Sequence, residues 1–339
     1  MNDVTVSSVG IVAIGRNEGD RLVRCLQSLR THLPSGVPIV YVDSGSTDGS
    51  VAAAKRQGVE VVNLDMSVPF TGARARNAGA ERLLNQFPQT QCIQFIDGDC
   101  EILSGWVEAA TRFLQQHPQH AVVFGRLRER FPQASTYNQL ADLEWNVPSG
   151  EAEACGGIAL MRTAAFKQAG GFNPKLICGE EPELCIRLRR LGWSIQCIAT
   201  DMALHDIDMH RFGQWWKRSV RGGWAVAQGS DMYGQAAERY KFKAHISGWL
   251  WGLALPLGAV LAVRMSHGLS ILLLASAYAL QVFKIFRARQ QRGNTPTESS
   301  LYAIFCVLSK VPQAIGQGKY WINRWQNKPA ELIEYKGNT

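Results

Sequence analysis

The 339-residue chain has no C-x-x-C pair, no G-x-G-x-x-G after its first apolar run and no internal repeat. Each absence excludes something. Eight cysteines are scattered, and the gaps between Cys155, Cys178, Cys185 and Cys197 (22, 6 and 11 residues) match no common zinc spacing. A chain of this length buries a sizeable core without disulfide staples, so the thiols are expected to be reduced and cytosolic. The missing glycine fingerprint excludes a Rossmann dinucleotide site. The opening stretch "MNDVTVSSVGIVAIGRNEG" has no basic n-region, and its apolar run is short and glycine-broken; no signal peptide is expected. Acids are also scarce against bases: the net charge is +8. That balance suits an anionic partner, such as a nucleotide, a nucleic acid or an acidic lipid. The bases are not interleaved with aromatics as in an RNA-binding module, so nucleic acid is not the expected partner.

What is present begins with alternation. "VGIVAIG" (9–15), "VPIVYVD" (37–43), "VEVVNL" (59–64) and "CIQFID" (92–97) read as strands. Helix-spaced segments follow them at 19–33, 46–58, 72–86 and 103–117. Strand–helix–strand repetition predicts right-handed βαβ units and a mainly parallel sheet, an α/β fold with ligands at the carboxyl ends of the strands. Asp43 and Asp97 fall at such ends, and so does the loop of Arg16, Asn17 and Glu18.

The fourth strand ends in "DGD". Asp-Gly is a common turn dipeptide, and spacing alone favours that explanation of Asp97 and Asp99. Two carboxylates at i and i+2 also suit one hard cation, Mg²⁺ or Mn²⁺. The motif by itself leaves both open.

Near residue 246 the composition changes. The run 246–263 carries no charge, "RMSHG" follows, and 269–283 is uncharged again before the basic "KIFRARQQR". The two runs predict a hydrophobic hairpin over 246–283, either inserted in a membrane or buried in a soluble domain. Apolar residues on all faces and flanking bases favour the membrane, with the catalytic part on the cytoplasmic side. A more amphipathic segment is expected over 301–325. The expected domains are 1–230 and a helical, membrane-associated 231–339.

Six motifs occur in order: "VAIGRNEG", "YVDSGSTDGS", "ARARNAGA", "FIDGDC", "ACGGIALMRTAAFKQAGGFNP" and "GEEPELCIRLRRLGW". Together they resemble the inverting nucleotide-sugar glycosyltransferases of family 2, over residues 8–225. The resemblance implies a GT-A fold with a nucleotide-sugar donor. It implies donor contacts from Arg16, Asn17, Glu18, Asp43, Arg76 and Asp97. Asp97 and Asp99 would form the D-x-D metal motif, with His205 as a further metal contact and Mg²⁺ or Mn²⁺ as cofactor. Where the family carries its catalytic aspartate this chain has Glu181, with Glu180 as its rival for general base. Gly156 and Gly157 would line the acceptor side, and Trp215 and Trp216 would stack on sugar or lie in the membrane interface.

The function these features imply is sugar transfer, with inversion, to a lipid-linked or polysaccharide acceptor in cell-surface glycan or exopolysaccharide synthesis. Membrane lipids would be further partners. A nucleotidyltransferase acting on sugar phosphates is the second expectation, since such enzymes also use paired acids on a parallel sheet. "AIGRNEGDRL", however, lacks their glycine-rich basic loop. A basic nucleic-acid-binding protein comes third.

Overall fold

The computed structural model describes residues 4–328 and 333–334. The chain divides into two compact units, Met1–Gln133 with Glu144–Asp208, and Ala134–Leu143 with Met209–Thr339. The expected boundary at residue 230 is therefore corrected. It would cut a single helix, Phe212–Tyr233. The composition change near 246 marks where apolar surface begins, not where the unit begins. The last residues of the expected second domain, 329–332 and 335–339, lie outside the described residues.

The first unit opens β1 (Val9–Gly15), α1 (Asp20–His32), β2 (Ile39–Asp43), α2 (Ser50–Arg56), β3 (Glu60–Asn63), α3 (Gly72–Gln86) and β4 (Cys92–Asp97). All five residues of β2 are buried, as are the first five of each of β1 and β4. Runs buried on both faces are what a parallel sheet covered by helices requires. On α1 the buried residues are Leu22, Cys25, Leu26 and Leu29, one stripe at helical spacing. β3, β2, β1 and β4 lie side by side in parallel, with Gly15 opposite Asp43 and Ile14 opposite Asp97. Those registers bring the ends of three strands to one rim.

The rest of the unit is mixed. β5 (Cys100–Ile102), α4 (Trp106–Gln116), β6 (His120–Glu129), α5 (Thr136–Trp145), β7 (Gly150–Glu151), β8 (Ala159–Arg162), α6 (Thr163–Gln168), α7 (Glu180–Arg190) and β9 (Ser194–His205) follow in the chain, and of α5 only Glu144 and Trp145 belong to this unit. The sheet runs β3-β2-β1-β4-β8-β6-β9-β5, with β7 also on β9. β8 is antiparallel to both β4 and β6, while β5 and β7 are antiparallel to β9. The α/β sheet expected from the sequence is present, and its mixed half carries the second part of the site.

The second unit is helical: α8 (Phe212–Tyr233), α9 (Phe242–Trp249), a π-helical stretch (Leu250–Ala254), α10 (Leu255–Leu261), α11 (Leu269–Gln291), α12 (Pro296–Leu308) and α13 (Lys310–Trp325). α8 and α13 touch backbone to backbone. A Cβ on Gly316 would sit 2.0 Å from the Val220 carbonyl oxygen, and one on Gly223 would sit 2.1 Å from that of Gln313. Only glycine allows that approach. The expected amphipathic segment 301–325 is two helices broken at Ser309, and α13 buries Pro312, Gly316, Gln317 and Tyr320.

Two helices, Phe242–Leu261 (20 residues) and Leu269–Gln291 (23 residues), are long and apolar enough to cross a membrane. At 1.5 Å per residue, about 20 residues match a hydrocarbon core of ~30 Å. Their apolar side chains face outward: Leu261 is 72% exposed, Leu272 63% and Leu273 61%. A hairpin buried in a soluble core is thereby excluded among the described residues.

Candidate active site

Three groups of polar side chains meet at the carboxyl rim of the first unit. The first fixes the loops. Asp43 ends β2 buried, and accepts from the Gly45 and Ser46 N–H groups (3.0 and 2.8 Å) and from the Tyr41 hydroxyl (3.1 Å). Burial, with Asp43 beside it, pushes the Tyr41 phenol well above its ordinary range. Asn17 sits at φ +55°, accepts from Thr47 N–H (2.7 Å) and donates its own N–H to Ser46 (2.9 Å). It ties the loop after β1 to the loop after β2. Glu18 pairs with Arg21 (3.0 Å), and the Arg16 guanidinium lies 4.6 Å from the Phe70 ring centre. Asp48 accepts from Ser50 N–H at the start of α2.

The second group centres on Arg76 of α3. Its guanidinium is buried and meets three carboxylates: Asp97 at 2.8 Å, Glu180 at 2.8 Å and Glu181 at 3.1 Å. Burial opposes the charge, but the three acids outweigh it and hold the guanidinium above its ordinary pKa. Glu180 and Glu181 begin α7, after Gly179 at φ +80°. Acids in a first helical turn also face the positive end of the helix dipole. Burial pushes the Glu181 carboxyl up to about 7, with the charge of Glu180 adding to it and Arg76 opposing. A carboxylate poised near neutrality is suited to accept a proton.

Gly157 closes this group from the other side. A Cβ there would lie 2.6 Å from Arg76 Nη2, 2.9 Å from Asp97 Oδ2 and 3.2 Å from Glu181 Oε1. The glycine lets the backbone rest on the charged cluster. Gly156 is exposed, with nothing within 4 Å of its own Cβ position.

The third group comes from the mixed half of the sheet. Antiparallel pairing sets Cys100 of β5 opposite His205 of β9, and His205 Nε2 lies 2.9 Å from Asp99 Oδ2. Ligand atoms of Asp99, Cys100 and His205 all fall within 4.8 Å of one another. The His205 Nδ1 atom is buried without a hydrogen-bond partner. A carboxylate and an imidazole suit Mn²⁺ or Mg²⁺, whereas the Cys100 thiol is too soft to add to such a site. Asp97 is not part of this cluster, because its carboxylate is turned to Arg76.

The structure thus brings Arg76, Asp97, Glu180, Glu181 and Gly157 into one cluster and Asp99 with His205 into another. Trp215 is corrected as an acceptor platform: it is 3% exposed and packs edge-on against Phe305, ring centres 5.0 Å apart, inside the second unit. Trp216 is half-buried beside Phe212. Sequence inspection missed Trp145, whose ring lies 4.5 Å from that of His205. It follows "LADLE" without a motif, and only the tertiary fold marks it.

Strand-end acids, an embedded arginine and a helix-borne carboxylate on such a sheet define a GT-A-type transferase fold. Comparison names a family: residues 8–169 match the family model Glycosyl transferase family 2. Glu180, Glu181 and His205 lie beyond the matched segment. Over 229 residues the chain is 23% identical to Glycosyltransferase AglE of Haloferax volcanii, covering 65% of this chain and 73% of that protein. It is 26% identical over 211 residues to Succinoglycan biosynthesis protein ExoA of Rhizobium meliloti, covering 57% of this chain and 62% of that one. Among solved structures it resembles the mannosyltransferase PcManGT of Pyrobaculum calidifontis, determined with GDP-Man and Mn²⁺. The TM-score is 0.59 at 18% identity, over 91% of this chain and 87% of the other. At that identity the likeness is one of fold.

Proposed function

We propose that the protein transfers a sugar, with inversion, from a nucleoside-diphosphate donor to a lipid-linked or glycan acceptor at the cytoplasmic face of a membrane. The carrying observation is the Arg76–Asp97–Glu180–Glu181 cluster, set beside Asp99 and His205 on the carboxyl rim of the sheet. The names of AglE, ExoA and PcManGT support glycan synthesis and a nucleotide-sugar donor.

In this scheme Glu181 is the general base. Its carboxyl is pushed up to about 7, and its side chain is more accessible than that of Glu180 (13% against 6%). Glu180 and Arg76 hold it in place. Asp97 retains an accessible edge (34%) toward the donor while Arg76 fixes the other. Asp99 and His205 would hold Mg²⁺ or Mn²⁺, which when bound neutralises the donor diphosphate and the charge that develops on the leaving nucleoside diphosphate. Asp43 and Asn17 fix the loop edges where a nucleoside would lie. The two long apolar helices would keep the enzyme at the lipid surface.

The test is a screen of UDP- and GDP-sugars on the purified full chain with Mn²⁺ or Mg²⁺, read as release of nucleoside diphosphate. A donor consumed by the parent and not by Glu181→Gln supports the assignment. Consumption of no nucleotide sugar under either metal would refute it.

A further inference from the structure

The second unit carries a cavity of about 210 Å³ among its own helices. It is smaller than the ~300–1,000 Å³ of sites that enclose a whole small molecule. It has room for one polar group whose remainder lies outside. Ser247 of α9, Tyr278 and Gln281 of α11 and Lys310 of α13 line it, with Trp251 of the π-helical stretch. The Tyr278 hydroxyl donates to the Trp251 carbonyl, so those two groups satisfy each other. A side chain on Gly252 would strike the Lys310 carbonyl, and this close packing sets the start of α13 against the π-helical turn.

Three polar side chains remain. Ser247, Gln281 and Lys310 are each half-buried, and none has a side-chain hydrogen bond or an ion pair among the described residues. No residue lining the cavity is Asp or Glu. Two acids of the unit are already engaged: Asp231 by Tyr320 (2.6 Å) and Arg324 (2.9 Å), and Glu298 by the Thr295 N–H (2.9 Å). A partly desolvated ammonium with no counter-charge is costly among apolar helices. An anionic ligand would remove that cost, with the Ser247 hydroxyl and the Gln281 amide donating to it beside Lys310.

The position of the cavity says which anion. Phe242–Leu261 and Leu269–Gln291 run antiparallel, since Ser270 meets Ala259 and Tyr278 meets Trp251. Ser247 is five residues from the start of the first helix, and Ile285 of the lining is six from the end of the second. At 1.5 Å per residue the cavity lies about 8–9 Å from one end of the hairpin. That end is basic, with Lys243, Lys284, Arg287 and Arg292 exposed. Leu280 and Phe283, on either side of Gln281 in α11, are exposed apolar surface. The second unit holds 17 Lys and Arg against 6 Asp and Glu, whereas the first holds 19 against 22. The basic excess of the chain therefore belongs to the helical unit. Basic clusters beside membrane helices attract acidic lipids, and a zwitterionic headgroup would bring a further cation into this one. We propose that the cavity binds the phosphate of an acidic phospholipid of the surrounding leaflet, held by Lys310, Ser247 and Gln281, with its acyl chains along the exposed apolar face of α11. The lipid is a bound component of the helical unit and not the sugar acceptor. This rests on the membrane placement proposed above.

The experiment uses the purified full chain in mixed micelles of a neutral detergent with phosphatidylcholine, phosphatidylglycerol or both. A hydrogen bond to a charged group is worth a factor of about ten or more in affinity. Native mass spectrometry of the parent in an equal mixture should show phosphatidylglycerol retained over phosphatidylcholine by about that factor, and Lys310→Gln should lose the preference. Arg287→Gln, which changes an exposed base at the same end but outside the cavity, should keep it. Thermal unfolding adds a test of sign. In phosphatidylcholine Lys310→Gln should melt no lower than the parent, because it removes an uncompensated charge; in phosphatidylglycerol it should melt below the parent. Inorganic phosphate should not reproduce the stabilisation. Equal retention of the two lipids by the parent overturns the proposal, and so does equal loss in Lys310→Gln and Arg287→Gln. Stabilisation by inorganic phosphate alone, or retention of farnesyl phosphate in preference to phosphatidylglycerol, overturns it as well. Carbonate-resistant flotation of the full chain reconstituted in phosphatidylcholine liposomes reads the membrane placement separately: flotation without a lipid preference removes the cavity site alone, and failure to float removes both.

Discussion

Replacing Arg76 by methionine removes one cation from among three carboxylates and keeps most of the side-chain volume. Asp97, Glu180 and Glu181 would then face one another with no compensating charge, two of them on the same helical turn. Breaking a buried ion pair from one side costs about 3–5 kcal/mol, because the remaining charge is left desolvated. For a domain of this size class each kcal/mol lowers Tm by about 2–4 °C, so a drop of roughly 10 °C is expected near pH 8.

The pH dependence separates this cause from simple loss of packing. Without Arg76 the Glu181 carboxyl, already pushed up by burial, loses the charge that opposes the rise, so its folded-state pKa lies further above that of the unfolded chain. The folded variant then binds more protons than the unfolded one between the two values. Its stability relative to the parent therefore improves as pH falls through the raised Glu181 value toward about 4.3, the ordinary glutamate value. Thermal unfolding of the full chain in detergent, followed by tryptophan fluorescence at pH 8 and pH 5.5, measures both quantities. The gap between variant and parent should shrink by half or more at the lower pH. A gap of the same size at both values, or one below about 1 kcal/mol at pH 8, would show that the cluster is not held by charge.

Other consequences follow from the same geometry. Because the Glu181 carboxyl titrates near 7 and must be ionised to act, kcat/KM should rise with pH up to about 7 and then level. Glu181→Gln should lose about 10²–10⁴-fold in transfer, while Glu180→Gln should act mainly through stability; the opposite order would make Glu180 the base. Glu181→Gln should also raise Tm above pH 7, since a carboxyl moved from 4.5 to about 7 costs the fold at most about 3 kcal/mol once ionised in both states. Gly157→Ala should leave the secondary structure intact by circular dichroism and reduce kcat a hundredfold or more, because its Cβ would fall within 3.2 Å of Arg76, Asp97 and Glu181; near-parent turnover would mean the cluster is not where reaction occurs. Asp99→Asn and His205→Ala should each weaken Mn²⁺ binding in a direct titration, and full activity in excess EDTA would remove the metal from the scheme. The full chain should resist extraction by high salt and carbonate, and Leu273→Arg, at about 2.5–3.5 kcal/mol on insertion scales, should reduce its recovery with membranes.

The parts of this molecule that can be read from its sequence are the parts whose causes are local. β1, β2 and β4 are short apolar runs ended by glycine or aspartate, and the structure places them where the pattern does. The long apolar helices announce themselves by the absence of charge. β5 does not: three residues beside a turn carry no periodicity, and the strand exists because β9 pairs with it. That pairing also brings Asp99 to His205, 106 positions away. Residues 134–143 join the second unit for a similarly distant reason, since Arg289 of α11 donates to the Leu143 carbonyl.

Arg76 shows most clearly where inspection of the sequence stops. Its place in "ARARN" suggests an exposed helix charge that reaches for a donor. In the fold it is buried against Asp97 and, 104 positions on, Glu180. Resemblance can name each of these residues, yet it cannot say that they neutralise one another. The Glu181 value near 7 depends on that arrangement: burial raises it, Glu180 raises it further, and Arg76 limits the rise. An isolated glutamate at the start of a helix would be ionised at neutral pH and only weakly basic. Three acids around one arginine leave one carboxyl able to take up a proton at physiological pH. The chemistry proposed for this protein is therefore a property of the cluster, and any substitution that alters one of its four charges should move the pH profile of the reaction as well as its rate.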